Sequence, residues 1–205
     1  MNRMPVAERR EQLIEAAITV ASRDGIEAAT VRAVAAEAGV SLGVVHYCFQ
    51  DKSELMRAMA HAITMQNASA DLSEVPDGAT ADEVVQAFVG AFWQSISSSR
   101  GAQLLSYELT TASLRHEELR DVALEQYRGQ WSAAESVLEE IARVAQVEWI
   151  QPVPELARAV VAFVDGLSLS WLVDGDDEAA RESMHRFGQF LSTRTAPLSS
   201  AGHEA

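Results

Sequence analysis

Three residues at fixed spacing carry the first chemical meaning in this chain: Ala35, Gly39 and Val45. A small residue, a glycine four positions later and an apolar residue six further on are what a helix-turn-helix requires. Ala35 lets a second helix approach closely, Gly39 permits a left-handed turn, and Val45 locks the second helix onto the first. Val34, Ala38, Val40 and Val44 supply apolar contacts around them. Ser41 stands at the cap position of the second helix. The first N–H groups of that helix then face outward, a positive dipole end suited to phosphate or base edges. Lys52 is the only lysine in the chain. It falls in the first turn of a further helix, where the dipole disfavours a cation, so an external anion accounts for it. This is the chemistry of binding a polyanion. For catalysis there is no nucleophile motif, no glycine-rich phosphate loop and no paired Glu-x-x-His, and His61, His116, His185 and His203 are scattered. An enzyme of helical-bundle type is set aside on that ground, with no catalytic residue, cofactor or metal ligand assigned. His46 has no zinc-like cluster around it, and Cys48, the one cysteine, reads as a small packing residue.

Helical periodicity must position these residues; strand-like alternation is scarce and no hairpin signal is visible. The pattern predicts a first helix over Ala7 to Arg23, stopped by Asp24-Gly25, with Leu13, Ile14, Ala17, Ile18 and Ala21 on one face. Thr30 caps a short helix, Val31 to Ala38, and Ser41 caps another, Leu42 to Cys48. Asp51 and Glu54 form a capping box that opens a fourth helix, to about Ala70. A break at Leu72 to Thr80 precedes a second box, Thr80 and Glu83, which starts a helix with Val85, Phe88, Val89, Phe92 and Ile96 on one side. Further helices are predicted over Ala102 to Thr111, Glu117 to Ala145, Glu155 to Val173 and Asp177 to Ser192. The fold class is therefore all-α, with about nine helices.

The stretch over residues 8–60 closely resembles the tetracycline-repressor-like (TetR) family. The matching residues are Ala16-Ala17, Gly25, Thr30-Val31-Arg32-Ala33-Val34-Ala35, Gly39-Val40-Ser41, Gly43, Phe49, Lys52 and Leu55. The family segment runs roughly G-V-S-x-G-x-L-Y-x-H-F-x-x-K-x-x-L. Here Val45 replaces the common Leu, His46 the common Tyr and Cys48 the common His. The resemblance implies a three-helix DNA-binding head over residues 1–50, a larger ligand-binding and dimerisation body over 51–194, and a small polar tail over 195–205 expected to be disordered. It implies that Thr30 and Arg32 meet the phosphate backbone. Ser41, Leu42, Gly43 and His46 would lie on the major-groove face, and Tyr47 and Lys52 would grip phosphates. Either His46 or Tyr47 can serve as the aromatic phosphate contact. The function implied is a repressor released from a palindromic operator in double-stranded DNA when a small, largely apolar effector binds the body. The alternative is a helix-turn-helix activator, or a protein-interaction regulator without an effector.

In the body, the helix Glu155 to Val173 is apolar nearly all round, which suits a face for the core and a face for a second copy. Val161, Val164, Leu172, Met184, Phe187 and Leu191 are the candidate homodimer contacts. Phe88, Phe92, Trp93, Tyr107, Glu108, Tyr127 and Trp131 are the candidate effector pocket, since aromatics with one carboxylate suit a lipophilic or cationic ligand.

The formal charge of −14 looks wrong for a DNA binder, but it is unevenly spread. Residues 1–66 carry seven basic and eight acidic residues, a net of −1, so the remaining chain holds −13. Only the head is a plausible DNA surface, and it must act through a few placed cations and neutral donors. No apolar run reaches the ~20 residues of a membrane span, the first residues lack an apolar leader core, and a single cysteine forms no internal disulfide. A cytoplasmic protein without a membrane partner is the expectation.

Overall fold

The structure, a computed structural model, describes residues 4–68, 75, 76 and 78–198. Among them are nine α-helices: α1 Val6–Asp24, α2 Val31–Glu37, α3 Leu42–Cys48, α4 Lys52–Ala68, α5 Ala81–Ser98, α6 Arg100–Arg115, α7 Arg120–Ala145, α8 Val153–Asp174 and α9 Asp177–Ser192. Short 3-10 turns occur at Ile26–Ala28 and Glu117–Leu119. Of the predicted break at residues 72–80, positions 72–74 and 77 lie outside the described residues, as do 199–205.

The chain divides into two compact units. The first takes residues 1–66 together with 99–129. Its core joins Leu13, Ala17, Val34, Val45 and Phe49 of the head to Leu105 and Leu109 of α6 and Val122 of α7. The local stops are those the sequence encodes. Gly25 ends α1 at φ 88°, and Gly39 takes φ 65° after α2. There the Val40 N–H donates to the Ala35 carbonyl at 2.9 Å and the Gly39 N–H to the Ala36 carbonyl at 3.2 Å, the paired bonds of a Schellman stop. The Thr30 hydroxyl accepts from the Ala33 N–H at 3.2 Å and caps α2. Asp51 accepts from the Glu54 N–H at 2.8 Å, and Glu54 answers by accepting from the Gln50 N–H at 2.8 Å.

The second unit takes residues 67–98 and 130–205. Its core centres on Val84, Val85 and Trp93 of α5, Leu138 and Ile141 of α7, Leu156 and Trp171 of α8, and Met184 of α9. The Thr80–Glu83 box forms as expected, with the Thr80 N–H donating to Glu83 at 2.8 Å and the Glu83 N–H to the Thr80 hydroxyl at 3.3 Å. Gly188 of α9 sits so close to α5 that a Cβ there would lie 2.9 Å from Gln86 Nε2.

Two expectations are corrected here. A two-stranded antiparallel sheet, β1 Val147–Trp149 with β2 Thr195–Pro197, pairs Glu148 with Ala196. The start of the expected disordered tail is thus held by backbone hydrogen bonds, and strands of three residues are too short to leave a readable alternation. The second concerns α8, which at 22 residues is long and apolar enough to cross a membrane by length and composition alone. Only 22% of its most apolar window is buried within the chain, so much of its apolar surface is exposed.

Candidate nucleic-acid interface

Helix α3 has two faces of opposite character. Val45 is 2% exposed and Cys48 and Phe49 are buried with it, anchored on the core that Leu13, Ala17, Val34 and Ala35 build. The other side presents Leu42, Gly43, His46 and Tyr47, and Tyr47 is 74% exposed. Positions 42 and 46, and 43 and 47, are one turn apart, so the four form one outward patch. Burial of Val45 therefore fixes which side chains face out.

The outer face of α3 continues onto its neighbours' termini. Thr30, Arg32, Ser41 and Lys52 are all exposed, so every one of the eight residues proposed for DNA contact is accessible. Ser41 departs from expectation in one respect. It holds the cap position with extended backbone, φ −75° and ψ 152°, yet its side chain makes no capping hydrogen bond. The Val44 N–H donates to the Ser41 carbonyl instead, at 3.0 Å. Lys52 faces Glu27 at 3.6 Å, and both side chains are solvated, so the pair is worth little and opens readily to another anion.

The patch is held from behind by Arg10, which sequence reading did not single out. Its guanidinium donates to the Cys48 carbonyl at the end of α3, pairs with Glu54 at 2.9 Å and lies 4.3 Å from the Phe49 ring centroid. Gln12 donates to the Ala38 carbonyl at 3.0 Å. These α1 side chains bridge 38 and 26 residues of sequence, and periodicity carries no signal for such partners. Glu54's carboxyl is held below its ordinary value of 4.5, chiefly by the Gln50 N–H and then, against the opposing pull of burial, by Arg10.

Phe88, Phe92, Trp93 and Trp131 belong to the second unit, and Tyr107, Glu108 and Tyr127 to the first. Phe88 and Phe92 stack at 5.6 Å. Arg158 lies 3.7 Å from the Trp131 ring centroid. Trp93 is buried edge-on against Trp171 at 5.4 Å, and Glu108 accepts from the Ile26 N–H at 2.9 Å. Both are already committed inside their own units. A cleft of about 360 Å³ in the first unit is lined instead by Arg10, Glu54, Arg57, Thr64, Glu125 and Gln126 among others, and by none of the aromatic candidates.

The pairing candidates divide by exposure. Val161, Met184 and Leu191 are buried within the chain. Val164, Leu172 and Phe187 are half-buried. The apolar residues left outward are Ala159, Ala162, Gly166, Leu169 and Val173 on α8 and Phe190 on α9. On α8 they recur at alternating steps of three and four, one continuous stripe. Both sides of α8 are apolar, so sequence alone could not say which was inward.

Comparison with known proteins agrees with this geometry. Residues 13–59 match the model of the bacterial regulatory proteins of the tetR family, and residues 77–189 match the tetracyclin repressor-like C-terminal domain. The chain is 31% identical over 176 residues to the nicotine-responsive transcriptional repressor HdnoR of Paenarthrobacter nicotinovorans, covering 85% of this chain and 89% of that protein. It is 29% identical over 171 residues to the transcriptional regulator BetI of Escherichia coli, with 82% and 84% covered. Among solved structures, a Rhodococcus protein described as a TetR-family transcriptional regulator superposes with a TM-score of 0.75 at 25% identity, covering 91% of this chain and 99% of that one. The multidrug binding protein EbrR complexed with ethidium superposes at 0.61 with 31% identity, covering 87% and 97%.

Proposed function

We propose that this chain, which belongs to the tetR family of bacterial regulatory proteins, is a dimeric repressor that leaves its operator when a small effector binds the body. It is a DNA-binding transcriptional regulator by family. The single observation that carries the reading is the division of α3 into a buried lock at Val45 and an exposed patch of Leu42, Gly43, His46 and Tyr47. In this reading Ser41, Leu42, Gly43 and His46 meet base edges in the major groove, where Leu42 suits a thymine methyl group. Thr30, Arg32, Tyr47 and Lys52 take phosphates. The uncommitted Ser41 hydroxyl is available to either.

A second copy docks on the outward stripe of α8, helped by Phe190. Two-fold pairing sets two copies of α3 at a fixed separation, matching half-sites about one helical turn, ~34–36 Å, apart. An effector acts by favouring a different separation. That HdnoR is named as nicotine-responsive and EbrR was solved with ethidium favours a small, largely apolar effector here too. Phe88, Phe92 and Trp131, all of the second unit, are its proposed contacts.

The test is selection of duplexes from a random pool by the full-length protein, followed by binding measured with the selected site. A two-fold-symmetric site is expected, with binding weakened by His46→Ala, Tyr47→Ala or Lys52→Ala. Recovery of no preferred sequence overturns the reading. For the effector, nicotine and ethidium are the first probes, scored by thermal shift and by release of the selected duplex. A ligand that binds while the protein stays on its site counts against repression by release.

A further inference from the structure

Glu108 spans 82 residues of sequence to place its carboxylate Oε2 2.9 Å from the backbone nitrogen of Ile26. The same oxygen lies 3.9 Å from the point a Cβ on Gly25 would occupy. Gly25 ends α1 at φ 88°, and buried Ile26 opens the 3-10 turn that delivers the chain to Thr30. The first N–H of a helical turn has no acceptor within that turn, and a carboxylate is its best-matched partner.

A second close approach lies on the same helix. At Gly101 an added Cβ would stand 2.9 Å from the Ser22 carbonyl oxygen and 3.1 Å from the Ser22 Cβ. Positions 101 and 108 are two turns apart, so they share one face of α6 about 10 Å apart. One contact would let α6 pivot on the end of α1; two contacts separated along its axis fix both distance and rotation.

We propose that Glu108 is a positioning residue for operator recognition: from α6 it sets the 3-10 turn and, through it, the placement of Thr30 and Arg32 at the start of α2. It does not touch DNA. The Gly101 approach supplies the hinge point that gives the carboxylate its reach. The proposal rests on the reading of the α2–α3 surface as the DNA face, and it makes the position of α6 a determinant of that surface.

The test uses the full-length protein and the duplex selected by the wild type, with a random duplex of equal length beside it. Glu108→Ala is expected to lower affinity for the selected duplex about tenfold and for the random one much less. Glu108→Gln, whose amide oxygen still accepts, is expected to stay near wild type. Glu108→Asp keeps the charge but shortens the reach, and is expected to follow Glu108→Ala. The amide proton of Ile26, followed by NMR, should lose its hydrogen-bonded shift in the Ala and Asp variants and keep it in the Gln variant. A merely stabilising role would lower the melting temperature and leave the ratio of selected to random binding unchanged, which overturns the proposal. Glu108→Gln failing as badly as Glu108→Ala while Ile26 remains bonded also overturns it. A wild type that selects no duplex overturns this proposal and the DNA reading together, whereas equal binding by wild type and Glu108→Ala overturns this one alone.

Discussion

At the scale of single residues, the helix-turn-helix is held by a few positions with separable roles. Val45 is 2% exposed and carries the packing between α3 and the rest of the head. Val45→Ala is expected to destabilise the protein by about 2 kcal/mol in urea unfolding, through lost burial and the cavity left behind. Lys52 carries charge without packing, so Lys52→Ala should leave the melting temperature unchanged. Its effect should appear as a salt dependence of DNA binding shallower by roughly one unit of log–log slope. Glu54 gives a pH signature. A carboxyl whose folded value is depressed stabilises the fold above the ordinary value near 4.5 and loses that contribution as pH falls through the folded value. Thermal melts from about pH 6 to pH 3 should therefore fall more steeply for wild type than for Glu54→Gln.

Elements show why some assignments were readable and others were not. Helices α2 and α3 came out within one residue of their predicted ends, because Thr30, Gly39 and the period of the apolar residues all act over a single turn. The exposure of Leu42, Gly43, His46 and Tyr47 was legible in the same way, since a buried Val45 determines the directions of its neighbours on α3. Helix α8 carries no such information. Its two faces are both apolar, and only packing within the second unit decides that Ala157 and Trp171 go in and Leu169 and Val173 stay out, 51% and 83% exposed. Because these two side chains are largely exposed, Leu169→Glu with Val173→Asp is expected to leave the fold intact and yield monomers in sedimentation experiments. A stable dimer in that variant would place the pairing surface elsewhere.

For the whole molecule, the division at residue 50 suggested by the sequence is not where the packing divides. The head's core includes Leu105, Leu109 and Val122, all supplied by helices after residue 98. Sequence could not show this, since the partners lie more than 90 residues from Leu13 and no local pattern links them. Two outcomes follow from it. Leu109→Ala, far from the DNA face in sequence, is expected to cost about 3 kcal/mol and to weaken operator binding by loosening the head. A fragment of residues 1–66 is expected to show weak helicity by circular dichroism, because its core lacks those three side chains.

The partnership of α5 and α9 bears on how the chain is made. Almost a hundred residues separate Ala81, where α5 begins, from Asp177, where α9 begins. Synthesis at roughly 5–20 residues per second leaves the apolar side of α5 waiting on the order of 5–20 s for its cover while α8 emerges, also uncovered. A ribosome-tethered chain stopped short of α9 would offer both surfaces to a holding chaperone, and release of that chaperone should coincide with the appearance of Met184 and Leu191 outside the exit tunnel.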